Sequence, residues 1–311
     1  PILLVLASAA GADERVSPVT LEPTNQSHPG KVIWMDLVTH DVRRASDFYR
    51  QVFGWAIRLN EDGGFAEAFY RGRPVAAFAR YEADAPEDAA QWLVSISVPD
   101  VDAAAAAARQ QGGEVLEGPE RLKDRGRWAL ISDSRGALLI FLKASGGDPP
   151  DEAASANEWL WAELWTDDPG AAVEFYESVV GYKSVEARES DGGELRILGR
   201  DGVARATVVK SPWEEVKPNW LAYLLVDDLA ATLDAVELNG GEILVPPAAA
   251  GDGDVAIVAD PTGGVFALQN TIDIDTHRAA YDAVKDRRDE IRREMGIEDK
   301  KVLLFIGRAT P

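Results

Sequence analysis

Residues 32–38 (VIWMDLV) alternate, so that Ile33, Met35 and Leu37 take one side of an extended chain and Trp34, Asp36 and Val38 the other. The period then changes at once. Over 41–53 (DVRRASDFYRQVF), Val42, Ala45, Phe48, Tyr49 and Val52 recur at helical spacing, so a strand runs directly into a helix with Asp41 at the capping position. Short β-rich runs near 55–59, 65–70 and 74–80 predict three more strands. A second strand-helix pair follows over 92–98 and 101–111 and stops at Gly112-Gly113. Further strands are predicted near 114–117, 127–132 and 137–142. The order is βαβββ-βαβββ, an α+β arrangement.

The whole pattern then occurs again. Trp34, Asp36, Asp41, Phe48, Tyr49 and Gly54 return 127 residues later as Trp161, Glu163, Asp168, Phe175, Tyr176 and Gly181. Trp92, Val98, Gly112, Gly113, Glu114 and Pro119 return at an offset of 128 as Trp220, Val226, Gly240, Gly241, Glu242 and Pro247. Asp133 and Gly136 return at 127 as Asp260 and Gly263. So long a period is a duplicated domain rather than a solenoid. The chain divides into residues 1–12, a linker over 13–30, a first module over 31–145, a linker over 146–157, a second module over 158–271, and an extension over 272–311. In the second copy Asp168-Pro169 pairs a capping carboxylate with a proline fit for the first helical turn, so Asp41 and Asp168 read as caps rather than catalysts.

The order of elements, the phrases WMDLVTHDVRRASDFYRQVFGW and WAELWTDDPGAAVEFYESVVGY, and the later DSRGALLIFL and DPTGGVFALQ together resemble the vicinal oxygen chelate family of glyoxalases, bleomycin-resistance proteins and extradiol dioxygenases. The resemblance covers about 32–143 and 158–270. It implies tandem modules, each a curved mixed sheet forming a cup with helices on its outer face. In metal-using members it also implies ligands at three places per module, which fall here on Trp34, Leu93 and Ile140 and on Trp161, Leu221 and Ala267. None of these side chains can ligate a divalent ion. The three histidines, His28, His40 and His277, lie in a linker, a helix-start loop and the C-terminal extension. Neither a metal nor another cofactor is expected.

Alternation then says what the cups contain. Ile33, Met35 and Leu37, and Leu160, Ala162 and Leu164, face the helices, leaving Trp34, Asp36 and Val38 in one cup and Trp161, Glu163 and Trp165 in the other. The fifth strands add Leu93, Ser95 and Ser97, or Leu221, Tyr223 and Leu225, and the last strand adds Gln269 beyond Ala267. The candidate ligand-binding residues are therefore Trp34, Asp36, Ser95, Trp161, Glu163, Trp165, Tyr223 and Gln269, with the second cup favoured for its aromatics. An inward carboxylate costs several kcal/mol unless it is paired or hydrated. Either an Arg or Lys neutralises each one, or the cups are wet and meet a ligand. Phe48-Tyr49 and Phe175-Tyr176 read as core.

Composition narrows the partners. The 32 Lys and Arg stand against 53 Asp and Glu, a formal charge of -21, so nucleic acid and anionic lipid are repelled and an organic cation is favoured. The same charge also keeps a protein soluble. With no Cys there are no disulfides, thiolate metal sites or cysteine nucleophile. The opening run PILLVLASAAGA is too short to span a bilayer. Its small-residue end reads as the remnant of a signal peptide cut between Ala9 and Asp13, which implies a periplasmic or secreted protein; if the run is an ordinary apolar segment, the protein is cytoplasmic. Residues 275–295 read as a charged helix and 301–308 as a strand. The tandem modules suit a monomeric pseudo-dimer. The resemblance points first to a metal-independent protein that binds a small aromatic or cationic molecule. Two alternatives stay open: an enzyme of lyase, isomerase, epimerase or dioxygenase type, and a structural module whose cups are filled.

Overall fold

The computed structural model describes residues 16–81, 90–188, 194–213, 215–247 and 255–270. The apolar opening run, His277, and the helix and strand expected in the C-terminal extension lie outside the described residues. The first module contains β1 (Val32–Thr39), α1 (Val42–Phe53), β2 (Ala56–Leu59), β3 (Phe65–Tyr70), β4 (Arg73–Arg80), β5 (Gln91–Ser97), α2 (Val101–Gln110), β6 (Glu114–Leu122), β7 (Gly126–Ser132) and β8 (Leu138–Ala144). The second repeats it with β9 (Trp159–Thr166), α3 (Pro169–Val180), β10 (Lys183–Arg188), β11 (Glu194–Arg200), β12 (Val203–Lys210), β13 (Asn219–Val226), α4 (Leu229–Leu238), β14 (Glu242–Val245), β15 (Val255–Ala259) and β16 (Val265–Asn270). Each module is one eight-stranded sheet, in the orders β2-β3-β4-β1-β5-β8-β7-β6 and β10-β11-β12-β9-β13-β16-β15-β14. The sheets are mixed: β1 runs parallel to β4 and β5 to β8, and the remaining neighbours are antiparallel. Among the described residues no helix is long and apolar enough to cross a membrane.

The caps form as the sequence suggests. Asp41 accepts a hydrogen bond from the Arg44 amide and Asp168 from the Ala171 amide, each at 3.0 Å, which satisfies a helix-start donor that would otherwise be unpaired. The helix-bearing faces of both sheets then merge into one core. Met35, Leu37, Phe48, Tyr49, Trp92 and Phe141 from the first module share a single buried cluster with Ala162, Leu164, Phe175, Tyr176, Trp220 and Phe266 from the second. Helix α1 packs on α4, and α2 on α3.

Two buried relays cross this junction with pseudo-twofold symmetry. The Trp92 indole donates to the Tyr49 hydroxyl at 2.9 Å, and Tyr49 donates to Asp260 of the second module at 2.9 Å. The counterpart runs from Trp220 to Tyr176 at 2.9 Å and on to Asp133 of the first module at 3.0 Å. Burial pushes both tyrosine hydroxyls well above their ordinary range, helped by the facing carboxylates. The repeated Gly-Gly pairs belong to the same junction. Gly112 and Gly240 take left-handed backbone at φ 86° and 81° to end their helices. A Cβ on Gly113 would come 2.9 Å from the Phe175 ring, and one on Gly241 2.9 Å from the Phe48 ring. The second glycine of each pair therefore makes room for the other module's aromatic side chain.

Two edge details depart from strict alternation. The register slips between Val32 and Trp34, and likewise between Trp159 and Trp161. Ile33 and Leu160 therefore sit in bulges and join the cup side rather than the helix side. Residues 16–30, whose lack of periodicity reads as a linker, lie against the first module, with Val16 and Val19 buried in its cup. The 146–157 linker is tied down by Asp148, which accepts from Ser97 and from the His28 amide at 2.6 Å each. It is also tied by Asp151, which pairs with Lys31 at 3.0 Å and with Arg205 at 2.7 Å. Burial works to raise the Asp151 carboxyl, but Arg205 and Lys31 overrule it and leave it at about 2.

Candidate functional site

The candidate residues fall in the two cups as alternation requires: Trp34, Asp36 and Ser95 in the first, and Trp161, Glu163, Trp165, Tyr223 and Gln269 in the second. On β1, Asp36 faces Leu93 of β5 and Ala77 of β4; on β9, Glu163 faces Leu221 of β13 and Thr207 of β12. The strand framework is the same in both. The chemistry around the carboxylate is not.

In the first cup Asp36 is neutralised. Trp34 donates its indole N–H to Asp36 at 3.0 Å, and Arg125, from the turn before β7, brings its guanidinium to 4.0 Å. Arg125 is only 3 % exposed, lies 3.7 Å above the centre of the Trp34 ring, and stands 3.6 Å from Glu67 of β3. Burial raises the Asp36 carboxyl to about 6, against the pull of Arg125 and the Trp34 hydrogen bond. Burial likewise lowers Arg125. One face of the Trp34 ring is therefore covered by Arg125. Ser95, opposite Trp34, has a buried hydroxyl without a hydrogen-bond partner among the described residues.

In the second cup no ion pair among the described residues includes the carboxylate of Glu163. Glu163 is 5 % exposed and is oriented by neutral donors instead. Trp165 and Tyr223 donate to one oxygen at 2.7 and 3.1 Å, and Thr207 donates to the other at 2.9 Å. Trp161, half-buried, donates to Thr207 at 3.1 Å. Trp213 extends the aromatic wall, its ring 5.4 Å from that of Trp165. Leu195, Ile197, Val209, Leu221 and Ile257 complete an apolar surround. Gln269 is buried on the same face, opposite Leu225 and Val255, and takes no part in the Glu163 hydrogen bonds.

At the positions that the family resemblance makes ligand-bearing, Leu93 and Leu221 lie beside the carboxylates, and Ile140 and Ala267 lie across from Ser95 and Tyr223. They offer no donor, and among the described residues no three His, Asp or Glu side chains converge in a metal-binding group. The residues present do not fit a metal of the family type.

Sequence reasoning missed Arg125, Glu67, Thr207 and Trp213. Glu67 left a readable signal, as the lone charge on the Phe65-Glu67-Phe69 face of a strand whose other face is Ala66-Ala68. Arg125 left none, because nothing in the turn sequence KDRGR says which arginine turns inward.

Comparison with known proteins agrees with this architecture. The model of the Glyoxalase/Bleomycin resistance protein/Dioxygenase superfamily matches residues 31–141 and 159–268. CFP32 of Mycobacterium tuberculosis (strain CDC 1551 / Oshkosh), which carries a provisional glyoxylase name, is 31% identical over 241 residues, covering 76% of this chain and 92% of its own. The anthracycline biosynthesis protein DnrV of Streptomyces peucetius is 30% identical over 265 residues, covering 77% and 93%. Among solved structures, the Mn(II)-bound glyoxalase from Novosphingobium aromaticivorans superposes with a TM-score of 0.55 at 18% identity, covering 81% of this chain and 86% of that one. A single-site variant of homoprotocatechuate 2,3-dioxygenase from B. fuscum gives 0.53 at 14% identity, covering 83% and 73%. The duplicated sheets, their order and both matched segments thus place the chain in the Glyoxalase/Bleomycin resistance protein/Dioxygenase superfamily.

Proposed function

We propose that the protein is a metal-independent binder of a small organic molecule, held in the second cup. The observation that carries this reading is Glu163: a buried carboxylate without a cationic partner among the described residues, fixed by Trp165, Tyr223 and Thr207 within an aromatic wall. Its neutral donors hold its orientation but leave its charge uncompensated, and a cationic group seated against Trp161, Trp165 and Tyr223 would supply the missing partner. Apolar walls with few placed polar groups are the usual make-up of such a pocket. The filled-cup alternative has its support in the first cup, where Arg125, Val16 and Val19 already occupy the space. The enzyme alternative rests on the same Glu163, whose fixed geometry would serve a general base.

The test is a titration with aromatic amines and amphipathic ammonium compounds, followed by tryptophan emission. Binding should quench the emission, and Glu163→Gln should weaken affinity by about 1–3 kcal/mol, the usual value of a charge-assisted contact. A panel giving no quenching, or a Glu163→Gln chain that binds as well as the parent, counts against the reading; consumption of the bound compound moves it to the enzyme. Elemental analysis should find no stoichiometric metal, and a chelator should leave the melting temperature unchanged, since a natively bound ion adds stability by mass action. About one metal per module would overturn metal independence.

A further inference from the structure

The first cup is filled, and the way it is filled resembles recognition of a ligand. Ser17 reaches into it from the strap 16–19 and uses each of its polar groups. Its amide donates to Glu67 at 2.5 Å, its hydroxyl donates to Glu67 at 3.0 Å, and its carbonyl accepts from Arg125 at 2.6 Å. Arg58 closes the set by donating to the Ser17 hydroxyl at 2.8 Å and to Glu67. Glu67 and Arg125 are 2 % and 3 % exposed, so these are contacts to charges held out of water. The flanking Val16 and Val19 are buried among Trp34, Phe65, Leu93 and Leu142. Among the described residues nothing like this exists in the second cup, where Ile197 stands in the place of Glu67.

The fit is also incomplete. With the strap seated, the Ser95 hydroxyl and the Trp128 indole N–H remain buried without hydrogen-bond partners among the described residues, and one Arg125 nitrogen has only the 3.6 Å approach of Glu67. All three belong to this cup: Ser95 lies across from Trp34, Trp128 packs in the same cluster, and Arg125 covers the Trp34 ring. Buried donors left unpaired are costly, so the seated strap is held less tightly than a fully paired segment would be. Beside Ser17 lies a cavity of about 490 Å³ lined by Val16, Ser17, Arg58, Asn60, Phe65 and Glu67.

We propose that the first cup is a second binding site, for an extended serine-containing peptide segment flanked by branched apolar residues, which residues 16–19 occupy in cis. Its recognition elements are Glu67 for the amide and hydroxyl, Arg125 for the carbonyl, and the Val16 and Val19 positions for the flanking side chains.

The test releases the strap and asks whether the site then binds the same chemistry in trans. In the full chain, Val16→Asp with Val19→Asp should expel the strap, checked by faster hydrogen exchange confined to the Ser17 region. A fluorescent peptide of sequence DERVSPVTLE should bind this variant at least tenfold more tightly than it binds the parent chain, and adding Arg125→Gln should abolish the gain. A folded, released variant that does not bind the peptide overturns the proposal. If the double variant fails to fold, Ser17→Cys in the otherwise cysteine-free chain supplies the measurement. Its thiol should react slowly with a maleimide, and the rate should rise and saturate with millimolar peptide. A rate that ignores the peptide, or rises without saturation, overturns the proposal as well.

Discussion

Asp36 and Glu163 occupy one place in the repeat, yet the first sits beside a buried guanidinium and the second among neutral donors. Different outcomes follow from removing their charges. Glu163→Gln takes away a charge that no cation among the described residues balances, and Gln can still accept from Trp165 and Tyr223. Its unfolding free energy should therefore stay within about 1 kcal/mol of the parent in urea melts, even as ligand affinity falls. A loss of several kcal/mol would mean that Glu163 is structural. Asp36 behaves as a titrating group. Its folded value of about 6 lies above the ordinary 3.8, so the stability it contributes is fully present below 3.8 and is lost as pH rises through about 6. Urea melts between pH 4 and 6.5 should show that fall, and Asp36→Asn should reduce it by up to roughly 3 kcal/mol. Identical slopes in the two chains would contradict the assignment. Arg125→Met leaves Asp36 and Glu67 without their buried cation and should cost about 3–5 kcal/mol, the range for breaking a buried pair. Denaturation midpoints unchanged by that substitution would mean that Arg125 does not neutralise the cup.

At the scale of elements, the sequence was legible wherever one local period governs a segment. The alternation at 32–38, the helical spacing of Val42, Ala45, Phe48 and Tyr49, and the capping Asp41 and Asp168 all correspond to β1, α1 and the observed caps. Cup membership followed from the same alternation for each candidate residue. It failed at Ile33 and Leu160, because a bulge adds a residue without changing composition. It failed again at residues 16–19, where two valines flanking Ser17-Pro18 are too short a run to set a period; the segment is held through Ser17 by Glu67 and Arg125, 50 and 108 positions along the chain. Chemistry that depends on such distant meetings, including the Thr207 bond to Glu163, cannot be seen in any window of sequence.

For the molecule as a whole, duplication produced one body with a common core, and the reason lies in what the repeated motifs touch. Phe48-Tyr49 and Phe175-Tyr176 read as core, and the core they join spans both modules: each Tyr donates to the turn aspartate of the other module, and each Phe packs over the other module's glycine. A repeat whose conspicuous residues bond across the junction has lost the independence of its halves, because neither Asp133 nor Asp260 is fully satisfied without the opposite tyrosine. Tyr49→Phe removes the donor to Asp260 and the acceptor for Trp92 in a fully buried place, and should cost about 1–3 kcal/mol. Tyr176→Phe should cost a similar amount by symmetry, and the double variant should lose close to the sum, since the two relays share no partner. In each case calorimetry should record one transition, shifted to lower temperature, because both modules unfold with their joint core. Two separated transitions in either single variant, with one module melting early and the other at the parent temperature, would show that the modules fold apart and that the relays are surface seams between independent domains.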